Sequence, residues 1–266
     1  MIKHVNAHGF MASMRASLKK EWLEAVATHR LLIIALAFLF FSLLDPLMLK
    51  IMPLLLKNQL KGIDLSALFT ASQLSAVQSF IGDLQEIVQF VLILTLMGIV
   101  SQERLEKRLV IPVSMGLDLR AAYLAKWLLY SLALTLIVPV AIYIANLYGG
   151  LLFGFEQMPG PTLLERSIAV TLYFVGVLSL LMMCSARFKR PLTAGFMSLF
   201  AVYGLSAIMG IWESAKLWFP QTLIGYATNG LEGGAYPWES AVTVLIVIGL
   251  SFVSLLMRKD YVAKSI

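Results

Sequence analysis

Charge is what this sequence has least of. Asp, Glu, Lys and Arg make up 14% of its 266 residues, against about 25% in an ordinary soluble domain. Hydrophobic residues make up 59%, and the mean hydropathy is +0.84. That balance excludes a water-soluble globule and reads as an integral membrane protein. Cysteine is nearly absent: Cys184 stands alone, so no intrachain disulfide can form. It lies beside Met182 and Met183 in an apolar run, where a thiol packs and stays inert. The three histidines, His4, His8 and His29, all precede the first apolar run. There is no Gly-x-x-x-x-Gly-Lys phosphate loop and no His-Glu-x-x-His pair, so catalytic, cofactor-binding and metal-binding residues are not expected in this chain. The net charge of +6 does not point to nucleic acid, because membrane proteins gather basic residues at one interface.

Long apolar runs are present instead. Six of them, at about 31–52, 82–101, 127–148, 168–184, 192–212 and 241–257, are near the length of about 20 residues that crosses a bilayer as helix. The expected fold is an all-α integral membrane protein, with an N-terminal portion (1–30) and a six-span domain (31–266). Residues 1–30 lack the apolar core of a signal peptide, so the N terminus is expected to be retained. Met14, Leu18, Trp22 and Ala25 recur at helical spacing there, with Arg15, Lys19, Lys20, Glu21 and Glu24 elsewhere around the helix. This is the pattern of an amphipathic helix in the headgroup plane; the alternative is a cytoplasmic extension of the first span. Residues 57–82 are mixed and read as an external amphipathic segment. Residues 213–238 are aromatic and broken, as expected at the outer interface. The fifth run sets Ala194, Ser198, Ala201, Gly204, Ala207 and Gly210 at steps that let helices approach closely.

With both termini cytoplasmic, all but Lys50, Lys57, Lys61, Arg166 and Lys216 of the 21 basic residues fall inside, as the positive-inside rule requires. Trp22, Trp127, Trp212, Trp218 and Trp238 fall at expected interfaces, the other independent signal of topology.

Few polar residues enter the spans. Leu31 to Leu44 covers about 21 Å, short of the roughly 30 Å hydrocarbon core. The first span must therefore continue through Asp45-Pro46, with Asp45 about two thirds of the way across. An intramembrane carboxylate is a candidate for function; the alternative is a kink whose Asp45 bonds locally. Asp83 and Glu86 stand at the outer mouth of the second span, to select cationic cargo or simply to be solvated.

The densest charge lies between the second and third spans, in the 102–120 hairpin and its flanks: Glu103, Arg104, Glu106, Lys107, Arg108, Asp118, Arg120 and Lys126. Two readings compete. The basic residues can serve only to hold the loop in the cytoplasm. Alternatively Gln102 to Leu109 is an amphipathic helix with a Glu103–Lys107 pair, which docks on a soluble partner.

Several motifs, taken in order, resemble the permease subunits of type-2 ATP-binding-cassette exporters. They are Lys19-Lys20-Glu21-Trp22-Leu23, the Asp45-Pro46-Leu47 break, Gly98-Ile99-Val100-Ser101-Gln102-Glu103, then Pro112-Val113-Ser114 and Lys126. In that family the acidic stretch after the second span couples to the ATPase. The resemblance carries this role to Glu103 and Glu106, with Arg104, Lys107 and Arg108 beside them. The chain departs from the pattern where Lys107-Arg108 replace the usual Gly-Thr and where Pro112 follows sooner. The resemblance implies a permease in the cytoplasmic (inner) membrane of a prokaryote, paired with a second copy or paralogue. Two separate ATPase subunits would bind the ATP, with no cofactor in this chain. Family cargoes range over lipids, peptides, drugs and ions. An ion-coupled secondary carrier is the alternative, although only Asp45 comes near the midplane and no internal repeat is visible. A membrane-embedded enzyme and a purely structural subunit remain as further readings.

Overall fold

The computed structural model describes residues 10–57, 71–108, 110–156, 160–211, 213–229 and 235–256. Every regular element among them is helical. In chain order they are α1 (Phe10–Ala27), α2 (Arg30–Lys57), α3 (Gln73–Asp83), a π-helical turn (Leu84–Val88), α4 (Gln89–Leu96) and α5 (Ser101–Leu105). Then come α6 (Val110–Ser114), α7 (Leu119–Phe153), α8 (Gly160–Arg187), α9 (Pro191–Ile211), a 3₁₀ turn (Glu213–Trp218), α10 (Gln221–Asn229) and α11 (Trp238–Leu256). Lys3, Lys61, Trp212, Arg258, Lys259 and Lys264 lie outside the described residues, as does the 58–70 part of the expected external segment 57–82.

Five runs are long and apolar enough to cross a membrane: Arg30–Pro53, Gln73–Leu105, Leu119–Phe153, Gly160–Arg187 and Trp238–Leu255. The chain is thus a multi-pass, all-helical membrane protein. The run expected at 192–212 is α9, whose described apolar stretch, Pro191–Gly204, is shorter. The second run starts at Gln73, earlier than the expected 82, because Ser72 caps it: its hydroxyl accepts from the Ser75 amide, and the Ser75 hydroxyl takes the Ser72 amide in return. That reciprocal cap starts a helix before the sequence becomes apolar enough to require one.

α8 is the central helix. In its most apolar window 78% of positions are buried, against 28% in α2 and in α11, so those two expose most of their surface to lipid. Tyr173 of α8 donates to Gln89 of α4 at 2.5 Å, and Ser185 of α8 accepts from the Ser101 amide at 2.9 Å. Both pairs are 84 residues apart, so the second run and α8 lie parallel. On the other side α11 packs closely at Gly176, where a Cβ would come within 2.8 Å of Val244. Only a glycine admits that approach. The perimeter is apolar: Phe40, Leu136, Leu151, Phe196 and Phe200 are all more than half exposed. In hydrocarbon such side chains are solvated.

α7 has 35 residues, about 52 Å of helix, more than the roughly 30 Å hydrocarbon core requires. Its first turns form the seat for α1. Ser13 meets the Asp118 amide at 3.5 Å and Glu21 meets Lys126 at 2.5 Å, each pair 105 residues apart, so α1 runs parallel to the start of α7. The face that α1 buries is Ser13, Ser17, Glu21 and Ala25. The expected apolar series does not form that face: Ala25 is buried but Trp22 is 54% exposed. The reason lies in the seat. Ala121, Ala122 and Ala125 are buried on α7 around Lys126, and this flat, small-residue surface with one cation accepts serines and a glutamate better than bulky apolar groups.

Candidate functional site

The second run breaks after Leu96 and restarts at Ser101 as α5. A break exposes amides that need partners, and Ser185 supplies them. Its hydroxyl accepts from the Val100 and Ser101 amides, at 3.2 and 2.9 Å, and donates to the Met97 carbonyl at 3.1 Å. One turn on, the Arg104 guanidinium donates to the Ala186 carbonyl. The start of the hairpin is therefore fastened to the end of α8.

α5 ends at Leu105, and residues 106–108 form a turn in which Lys107 has φ +54°. The amphipathic helix expected over Gln102 to Leu109 is thus interrupted within its length, and Leu109 itself lies outside the described residues. No Glu103–Lys107 pair forms among the ion pairs found. An exposed pair of that kind contributes only about 0.2–0.5 kcal/mol. Glu103 turns inward instead, where two lysines meet it.

The inward side is a buried ion network. Lys126, 1% exposed, places its ammonium 2.5 Å from Glu21 Oε2 and 3.0 Å from Glu103 Oε1; the two glutamates are 4% and 3% exposed. Lys20 of α1 adds contacts at 2.5 Å to Glu103, 3.3 Å to Glu21 and 3.7 Å to Glu24. Arg108 closes the rim, 3.6 Å from Glu24 and paired with Glu106. Two lysines thus balance two buried glutamates, as burial in low dielectric demands. Desolvation works against the Lys20 charge, but the hydrogen bond and charge of Glu103, with the charges of Glu21 and Glu24, outweigh it and raise its pKa above the usual 10.5. Oxygens of Glu21, Glu24 and Glu103 lie within 4.8 Å of one another, a spacing that can hold a metal ion. Lys20 and Lys126 place two positive charges among these three carboxylates.

The five hairpin residues singled out from sequence therefore divide. Glu103 is enclosed, and Arg104 is engaged with α8. Glu106, Lys107 and Arg108 are exposed. Sequence reasoning placed Lys126 as a topological charge and Glu21 on a polar helix face, and both among the motifs of the resemblance, but it did not pair them. The signal that could have found them is the expense of a lysine inside an apolar run, which demands a carboxylate from elsewhere.

The residues proposed for a path divide too. Asp45 is 4% exposed, and the charged group that acts on it is the half-buried Asp83. Glu86 sits on the π-helical turn and is exposed. Arg166, read from sequence as an outer loop charge, is instead in α8, 1% exposed, with none of its three guanidinium nitrogens hydrogen-bonded. Near it, Tyr226 meets Tyr236 edge to face and Tyr236 meets Trp238 at a tilt, with ring centroids 5.4 and 4.8 Å apart, and the three line an open cleft of about 710 Å³ together with Lys216 and Glu239.

No known protein family matches the chain, and neither does any curated protein or solved structure.

Proposed function

We propose that this chain is the membrane-spanning permease subunit of an ATP-binding-cassette exporter of type 2, with six spans and cytoplasmic termini. In this reading α9 is the fifth span, and the chain works as a dimer, with a second copy or a paralogue, in the inner membrane of a prokaryote. Two separate ATPase subunits bind and hydrolyse ATP against the 102–120 hairpin. The observation that supports it best is mechanical. The hairpin is not a free loop: Ser185 and Arg104 fasten it to α8, Glu103 fastens it to Lys126 of α7, and Lys20 joins it to α1. A push on Glu106, Lys107 or Arg108 would reach three helices at once without first taking up slack. A loop whose charges served only to set orientation would gain nothing from buried attachments.

The ion-coupled carrier stays as a second reading because of the Asp45–Asp83 pair. One experiment separates the two. The protein is purified from its native host in mild detergent, its partners are identified by mass spectrometry, and the complex is reconstituted. A co-eluting ATPase whose hydrolysis drives transport supports the exporter. Transport by the lone chain down a proton or sodium gradient, with no ATPase bound, overturns it in favour of the carrier.

A further inference from the structure

Two helices of the bundle depart from regular α-helical hydrogen bonding where they face each other. In α2, Pro46 has no amide hydrogen, so the Ser42 carbonyl loses its normal helical donor. Opposite it, the π-helical turn Leu84–Val88 begins directly after Asp83, a wide turn of the sort found at functional positions. Asp45 and Asp83 meet in this gap. Asp45 is 96% enclosed, and its Oδ2 has no hydrogen-bond partner. None of the ion pairs among the described residues uses either carboxyl.

Among the described residues, the surroundings offer no compensating charge. Lys50, the next cation along α2, reaches the Leu152 carbonyl at 3.5 Å. Ser42 is fully buried and donates its hydroxyl to the Leu39 carbonyl. From α9, Tyr203 donates to the Glu86 carbonyl at 2.8 Å, and the Glu86 side chain faces outward. The charged group that acts on Asp45 is Asp83. Two carboxylates in contact inside a low-dielectric bundle repel each other unless a cation joins them.

We propose that Asp45 and Asp83 form a binding site for one small cation, a proton or an alkali metal ion, held between α2 and the start of the π-helical turn. For a metal ion the Ser42 carbonyl adds a third source of oxygen. A backbone carbonyl freed by a proline and lying within a turn of a carboxylate gives a small cation more than one oxygen to bind. Occupancy then decides whether the outer halves of α2 and α3 stay together: filled, the site joins them, and empty, its two charges drive them apart. This inference does not rest on ATPase coupling and stands for exporter and carrier alike.

The test uses the full chain in lipid nanodiscs, with the unfolding temperature read from tryptophan fluorescence. It is measured across pH in NaCl, KCl and choline chloride at equal ionic strength. The wild type is expected to lose unfolding temperature as protons are withdrawn. If NaCl or KCl restores it and choline does not, the occupant is an alkali ion; if no salt restores it, the occupant is a proton. Asp45→Asn and Asp83→Asn should each lose this dependence, while Glu86→Gln, on the same turn but outside the pair, should keep it. A wild type whose response to pH and salt matches that of both Asn variants overturns the proposal. Should the variants not fold, infrared spectra of the wild type decide. A protonated carboxyl band, or a carboxylate shift specific to Na⁺ or K⁺, supports the site, and the absence of both overturns it.

Discussion

The Lys126 ammonium lies 2.5 Å from Glu21 Oε2, and both side chains are closed to solvent. This contact ties the N-terminal helix to the base of α7. Removing one member of a buried pair leaves the other charge stranded, at a cost of about 3–5 kcal/mol. Lys126→Met should therefore lower stability by about that amount, read from denaturant or thermal unfolding in nanodiscs. The combination of Lys126→Met with Glu21→Gln should recover part of the loss. Equal stability of Lys126→Met and wild type would show that the pair does not hold α1.

Glu103 and Glu106 are three residues apart and should behave in opposite ways. Glu103 is 3% exposed between two lysines, whereas Glu106 is 36% exposed. Glu103→Lys should unsettle the protein by itself, with a lower unfolding temperature and poor yield. Glu106→Lys with Arg108→Glu should leave stability within about 0.5 kcal/mol of wild type, as exposed substitutions do. If the hairpin docks on an ATPase, the same double change should weaken the complex, since reversed charges meet like charges across the interface. Normal co-purification and normal ATP hydrolysis with that variant would remove these two residues from the coupling surface.

Topology can be read by labelling. In a Cys184→Ser background, a single cysteine at Lys216 should react with an impermeant maleimide on intact cells. Cysteines at Lys107 and Lys189 should react only after permeabilisation. Labelling at Lys107 from outside would invert the chain and put the hairpin beyond reach of any cytoplasmic ATPase.

Lys20 gives a pH expectation. Its pKa is raised in the fold, so its contribution is fully present below the unfolded value of 10.5 and is lost only as pH climbs through the higher folded value. Hydrogen-exchange protection of α1 amides, corrected for intrinsic exchange, should stay level from about pH 6 to pH 9. Lys20→Gln should lower it throughout that range. A fall in wild-type protection near neutral pH would mean that another group controls the docking of α1.

Hydropathy alone placed the apolar runs. Leu31 to Met52, Trp127 to Tyr148 and Ala241 to Met257 are read from sequence because a bilayer imposes a length and forbids unpaired backbone, and only helices of some twenty apolar residues satisfy both. The continuation of the first span through Asp45-Pro46 was legible for the same reason, since the run before it is too short. The inner or outer position of a single polar side chain was not. In a bilayer the lipid is as apolar as the core, so the faces of α7 or α8 carry no periodic label that tells Lys126 or Arg166 which way to point. That Glu103 would leave its own loop to join Lys126 and Lys20, and that Asp83 would be the charged group acting on Asp45 from a different helix, depends on how α1, α2, α3 and α7 pack. Those pairings join residues tens of positions apart along the chain. Only the tertiary structure, by enclosing charges that must then be balanced or shared, decided them.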